Sequence, residues 1–344
     1  MPFKKILFVG LGGAGQRHLR IFKQLLGPQT QFTAFRSTRT TPLLSANFTV
    51  NRSSTIEDHY DLTVFDSLSS AIDDGPDLVV ISTPSSLHYD AARMAADKGI
   101  GVFIEKPFSH NLNGFDEFAT SIISKGLPFF ISYQRRFHEL IQHAQQALNS
   151  GTIGKPFNAV FNVASYVPDW HRYEDFRNLY ACRRDLGGGV LLTEIHELDL
   201  CVWFFGLPQS VNCIGGNFSP YNLDVEDTVQ IQLKYPGLSV SVNMCFMQKH
   251  GRRDFQIAGS EGFLEWNQNG NTLIIESYAN NQIVEKSNPD FSNDDMFVAQ
   301  AKFFLAQNAR ESNRDTIEQA RASLAIVEAA KISMNEGRTV RLSE

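Results

Sequence analysis

Three stretches of this chain place side by side the residue types that hydride transfer needs. The first is Gly10-Leu11-Gly12-Gly13-Ala14-Gly15, directly behind the apolar run Ile6-Leu7-Phe8-Val9. Strand, glycine turn and a helix opening near Gln16 make the arrangement that a dinucleotide pyrophosphate requires. Gly10 permits the tight turn, Gly12 lets backbone approach phosphate, and Gly15 packs helix against strand. The N–H groups of the helix start and the positive end of its dipole face the anion. The whole turn, Gly13 and Ala14 included, is therefore assigned to a cofactor. The second stretch, Glu105-Lys106-Pro107, ends an apolar run. An ammonium at a strand's carboxyl end can hold a substrate hydroxyl and stabilise alkoxide character as hydride leaves.

The third stretch runs from the triple glycine Gly187-Gly188-Gly189 to Asp199. A helix is expected over Val190 to Phe205, with Leu191, Ile195, Leu198, Val202 and Phe205 forming its core stripe. His196, Thr193 and Glu197 project away from that stripe, which favours a proton-handling role for the histidine over a packing role. Upstream lies a cluster rich in rings and cations: Tyr166, Asp169, Trp170, His171, Tyr173, Arg177, Tyr180, Arg183 and Arg184. Aromatic faces and guanidinium forks suit a polyhydroxylated or anionic sugar-like ligand.

The elements that must position these residues follow from periodicity. Short apolar strands at 6–9, 32–36, 62–65, 78–81, 101–104 and 129–133 alternate with helical patterns at 16–26 and 88–98. That alternation predicts an α/β, doubly wound parallel sheet of the Rossmann kind. Past residue 155 the strands come in succession, at 157–163, 228–235, 239–247, 255–258, 263–266 and 273–277. The later ones are separated by turn signals such as Pro236-Gly237 and Asn269-Gly270. This second pattern predicts an α+β domain with an open, mostly antiparallel sheet. Two helices, about 294–307 and 316–335, close the chain. The expected division is residues 1–125 and 126–344.

Composition narrows the function class. With 344 residues there is room for two cores, and 42% hydrophobic against 20% charged residues is ordinary for a globular protein. A net charge of −6 argues against nucleic acid or membrane surfaces as partners. Cys182, Cys201, Cys213 and Cys245 lack the spacing of a zinc site and read as buried thiols, so no metal is expected. Without a signal peptide or a run of membrane-spanning length, the expected location is cytoplasmic. The 27 phenylalanines scatter along the chain and are assigned mainly to core. At the end of the second strand, Arg36-Ser37-Thr38-Arg39 carries no carboxylate. Arg36 and Arg39 could pair with a 2′-phosphate and Ser37 could donate to it, so NADP is favoured, with NAD the second choice.

Taken in order, these motifs resemble the glucose–fructose oxidoreductase / inositol dehydrogenase (Gfo/Idh/MocA) family of NAD(P)-dependent oxidoreductases. The resemblance spans nearly the whole chain: Gly10-x-Gly12-x-x-Gly15, Ser82-Thr83-Pro84 with His88, Glu105-Lys106-Pro107, Tyr133-Gln134-Arg135-Arg136-Phe137, Gly151 to Lys155, and Gly187 to Asp199. It implies that Thr83, Pro84, His88, Glu105 and Lys106 contact the cofactor. It also implies that Lys106 and His196 converge on the reacting carbon. The family's helix aspartate is matched here by Thr193; Asp199, one turn beyond His196, becomes the carboxylate expected to orient the imidazole. Substrate contacts are expected from Tyr133, Arg136, Trp170, His171, Arg177, Tyr180, Arg183, Thr193 and His196. The His-Glu-Leu-Asp variant with Pro168-Asp169-Trp170-His171 looks like members tied to amino-sugar and nonulosonic-acid pathways. The implied activity is hydride transfer at a secondary alcohol or ketone of a sugar, sugar derivative or cyclitol. Redox-neutral epimerisation or elimination, and a non-catalytic NADP-binding regulator, are the rival readings. A homodimer or homotetramer, joined through the open sheet face, is implied as well.

Overall fold

A computed structural model describes residues 3–38, 40–171, 174–307 and 313–342. The chain divides into two units, Met1–Ser132 with Phe297–Ala320, and Tyr133–Met296 with Arg321–Glu344. The first division therefore lies after the last parallel strand, several residues beyond the expected boundary.

In chain order the first unit holds β1 (Lys5–Val9), α1 (Gly13–Leu26), β2 (Gln31–Phe35), β3 (Leu43–Leu44), β4 (Val50–Asn51), α2 (Ile56–Tyr60), β5 (Thr63–Phe65), α3 (Leu68–Asp73), β6 (Leu78–Ile81), α4 (His88–Asp97), β7 (Gly101–Glu105), α5 (Phe115–Lys125) and β8 (Phe129–Ser132). Six strands form one parallel sheet in the order β5-β2-β1-β6-β7-β8. Leu78 to Ile81 are fully buried, as a parallel strand covered on both faces demands. Strand order reverses between β1 and β6, which opens a crevice at their carboxyl ends. Phenylalanine supplies much of the core: Phe103 meets Phe22, Phe130 and Phe304, and Phe108 meets Phe115, Phe118 and Phe129.

The hairpin β3–β4 has no counterpart in the sequence pattern. Gln16, fully buried on α1, holds it in place: its amide donates to the carbonyls of Leu11 and Pro42, and its oxygen accepts the Leu44 N–H at 2.8 Å. One side chain thus fixes the segment after β2 against the glycine turn.

The second unit contains α6 (Glu139–Asn149), β9 (Pro156–Tyr166), α7 (Val190–Thr193), α8 (His196–Phe205), β10 (Ser210–Gly216), β11 (Thr228–Tyr235), β12 (Leu238–Cys245), β13 (Met247–Gly259), β14 (Gly262–Asn267), β15 (Thr272–Ser277), β16 (Gln282–Ser287) and β17 (Val340–Arg341). Helices α9 (Asn293–Ala306) and α10 (Asn313–Glu336) close the chain, within a few residues of their expected bounds. The nine strands run β16-β15-β14-β13-β9-β12-β11-β10-β17. Their neighbours are antiparallel except for the parallel pair β9–β12. Alternation on β11 buries Val229, Ile231, Leu233 and Tyr235 and exposes Gln230, Gln232 and Lys234.

The expected helix from Val190 to Phe205 is two helices, broken at Glu194 and Ile195. Apolar periodicity runs through the break, so the sequence pattern does not register it. Nor is there a polar side: every residue from Gly187 to Val202 is buried. His196 is therefore buried with the stripe it was expected to face away from.

Candidate active site

At the carboxyl edge of the parallel sheet each glycine of the turn has a separate reason. Gly10 has φ +90°, and a Cβ there would press on Ser82 and Thr83. A Cβ on Gly15 would collide with the Gly10 carbonyl and the Ser82 hydroxyl. On Gly12 it would meet nothing within 4 Å. The open side of the turn thus lies over Gly12, at the start of the fourteen-residue helix α1. Beside Gly10, the Thr83 hydroxyl is shielded from solvent and has no hydrogen-bond partner among the described residues. An uncrowded glycine at a helix N-terminus, in a turn that an unmet hydroxyl adjoins, fits the diphosphate of a dinucleotide.

His88 departs from its expected role as a cofactor contact. It is buried, and its ring nitrogens lie 2.7 Å from the Thr83 carbonyl and 2.8 Å from the Pro107 carbonyl. Neither nitrogen is left for a ligand. Burial pulls its pKa below the ordinary histidine value, against the two carbonyl contacts. The ring instead joins the loop after β6 to the segment after β7, and so positions Thr83, Pro84 and Lys106. Glu105 is likewise engaged inward, with His18 and Ser132.

Arg36 also differs from expectation. Its guanidinium is buried, donating to Glu57 at 2.6 Å and to the Thr41 carbonyl at 3.0 Å. The reason is local: Glu57, on α2, supplies the carboxylate that the end of β2 lacks. Ser37 and Thr38 are exposed, and Arg39 lies outside the described residues.

In the second unit His196 opens α8, its Nε2 3.1 Å from the amide nitrogen of Gln134. The ring of Tyr133 stands edge-on to it, with 6.4 Å between centroids. Asp199 does not take the expected position against the imidazole. It is fully buried, and Arg136 binds it through two nitrogens, at 2.8 and 2.5 Å. Burial raises the pKa of that carboxyl and the Arg136 charge lowers it; burial prevails. A planar guanidinium on the neighbouring segment matches a carboxylate better than one imidazole nitrogen does. Arg136 is thereby a partner of Asp199 that also faces the rings of Tyr133 and Trp203.

Beneath His196 lies a charge cluster that sequence reading missed. Arg253 on β13 pairs with Glu194 and, at 3.1 Å, with Glu197, while Ser165 donates to Glu194. Burial pushes the Glu197 carboxyl up to about 7 against the pull of Arg253, and it brings Arg135 down to about 9. Glu194 lies in the break between α7 and α8 and Glu197 in the first turn of α8, so β13 holds the chain on either side of the histidine. Only pairing across more than fifty residues exposes this role, and no local motif signals it.

The ring-rich loop is less concentrated than its composition suggests. Arg177 and Arg183 are exposed and paired with Asp175 and Asp185, and His171 contacts Glu174 at 3.1 Å. Tyr166 instead meets Tyr221 at 2.6 Å and the ammonium of Lys249, two residues the sequence did not single out. Trp170 and Tyr180 are half-buried, Thr193 is buried, and Tyr173 lies outside the described residues. The described residues hold no group of three His, Cys, Asp or Glu able to bind a metal ion. No helix among them is long and apolar enough to cross a membrane.

Two family models match in tandem. The oxidoreductase family with an NAD-binding Rossmann fold covers residues 4–133, and the GFO/IDH/MocA C-terminal domain covers 141–265. The chain belongs to the GFO/IDH/MocA family. Among curated relatives, the 2,7-anhydro-N-acetylneuraminate hydratase of Mediterraneibacter gnavus is 32% identical over 141 residues, 40% of this chain and 36% of that protein. D-apiose dehydrogenase of Paraburkholderia graminis is 27% identical over 292 residues, 77% of this chain and 73% of that one. The first of these matches thus spans little more than a third of the relative's length. In fold, the chain is similar to myo-inositol 2-dehydrogenase from Lactobacillus plantarum, with a TM-score of 0.78, 21% identity and full coverage of both chains.

Proposed function

We propose that this protein transfers hydride between a nicotinamide dinucleotide and a secondary alcohol or ketone carbon of a sugar, sugar derivative or cyclitol. One observation carries the reading. The open glycine turn, the unmet Thr83 hydroxyl and the Lys106 segment are brought to one edge of the parallel sheet by His88. When bound, the nicotinamide supplies the hydride acceptor or donor. Lys106 holds the substrate hydroxyl and stabilises charge on its oxygen, and His196 exchanges the hydroxyl proton. Gln134 orients the imidazole in the role expected of Asp199, while Asp199 and Arg136 fix each other at the substrate side. Replacing Lys106 by Ala is expected to lower kcat by about 10²–10⁴ while leaving dinucleotide affinity within about twofold. Unchanged turnover in a sugar and cyclitol panel would remove Lys106 from the chemistry.

NADP remains the preferred cofactor in this reading, supported by the exposed hydroxyls of Ser37 and Thr38. Similarity to a hydratase favours one second reading, in which the substrate is oxidised transiently and the hydride returned. Product formation without net change in the near-ultraviolet absorbance of reduced nicotinamide distinguishes it from dehydrogenation. The open face of the nine-stranded sheet is proposed as the surface that joins copies into a dimer or tetramer.

A further inference from the structure

The proposed chemistry leaves unexplained a buried polar network behind Lys106. Glu105, the last residue of β7, is nearly buried, and its carboxylate accepts three hydrogen bonds. His18 Nε2 and Ser132 Oγ donate to Oε1 at 2.6 and 3.1 Å, and the Lys106 backbone N–H donates to Oε2 at 3.1 Å. Gln300 Nε2 donates to Ser132 Oγ at 2.8 Å, which leaves the serine proton for Glu105. His18 itself is fully buried, edge-on to Phe103 and Phe297. Its Nδ1 has no partner among the described residues. Burial alone would raise the Glu105 carboxyl; the His18 bond, with Lys106 and Ser132, outweighs it and holds the group below its ordinary range.

His18 lies on α1, the helix whose first turn carries Gly13 and Gly15. We infer that His18 is a positioning residue: through Glu105 it ties the helix that receives the dinucleotide phosphates to the backbone of Lys106. The inference rests on the reading of Lys106 given above. The titratable groups acting on Glu105 are His18 from α1, Lys106 on its own segment and His88 from α4; Ser132 and Gln300 are neutral.

The test compares wild type with His18→Leu, which removes the donor, and His18→Gln, whose amide restores an N–H near Nε2. Three quantities are read: kcat, the Kd for NADPH by fluorescence, and the rate at which trinitrobenzenesulfonate labels Lys106, followed by peptide mass spectrometry. In His18→Leu the carboxylate loses its strongest donor, and the Lys106 segment loses its tie to α1 and becomes more open to reagent. We expect kcat to fall about tenfold and Lys106 labelling to quicken about threefold, with Kd changed by less than about twofold. His18→Gln should recover most of both. Wild-type kcat and labelling in His18→Leu would overturn the inference. Should that variant not fold, Ser132→Ala is expected to move both readouts in the same direction, and its silence would equally overturn it. If wild type turns over no sugar-like alcohol, the functional reading fails by itself. The labelling contrast still decides whether His18 governs Lys106.

Discussion

Glu57 and Arg36 show how a single pairing redirects the expectation for a site. A guanidinium at the end of β2 would meet a 2′-phosphate directly if it were free. Held by Glu57 at 2.6 Å, it brings a compensating negative charge to the same place. Replacing Glu57 by Gln releases the guanidinium and removes that charge. NADPH affinity is then expected to rise about tenfold, near the 1.4 kcal/mol of a modest charge-assisted contact, with NADH affinity little changed. Titration by intrinsic fluorescence provides the check. A wild type that binds NADH and NADPH equally would sink the NADP assignment. Asp199 teaches the same lesson, since a carboxylate at helical spacing from a histidine goes to the better-matched guanidinium of Arg136.

Among elements, the glycine turn with α1 separates folding from binding within five residues. Gly15 is required by packing, because an added Cβ would strike the Gly10 carbonyl. Gly15→Ala is therefore expected to lower stability by about 1–3 kcal/mol, seen as a fall in Tm without any ligand present. Gly12 faces open space, so Gly12→Ala should keep the wild-type Tm and lose about tenfold or more in dinucleotide affinity. Equal effects of the two substitutions on Tm would contradict the division of roles. The break between α7 and α8 belongs to this scale too. Glu226 fills the space where a Gly189 side chain would go and accepts the Leu191 N–H, starting α7, while Arg253 grips Glu194 and Glu197 where α8 begins.

At the scale of the whole molecule, the exposed face of the nine-stranded sheet is the surface left to explain. Ile214 stands on it opposite Gln230, 67% exposed, and a polar ladder runs alongside through Asn243, Asn162 and Asp254. A sheet face that is exposed and partly apolar suits a second copy of itself. Ile214→Asp is expected to shift the protein toward monomer in sedimentation velocity while leaving the fold intact by circular dichroism. A wild type that sediments as a monomer at micromolar concentration would dismiss the assembly.

The amino-acid sequence by itself determined the alternation of strands and helices, the parallel sense of the first sheet, the succession of strands in the second, and the glycine and lysine motifs. Each of these is local: hydrophobic period, turn chemistry and short spacing are written in neighbouring residues. Tertiary structure alone decided which charges meet. His18 with Glu105, Arg36 with Glu57, Arg136 with Asp199 and Arg253 with Glu194 are separated by 21 to 87 positions. Their pairing depends on geometry and burial that no window of sequence contains. The same is true of the broken helix, whose apolar period continues through the break because both halves are buried on every side. A buried charge takes the partner that the packing supplies, and packing is a property of the assembled chain.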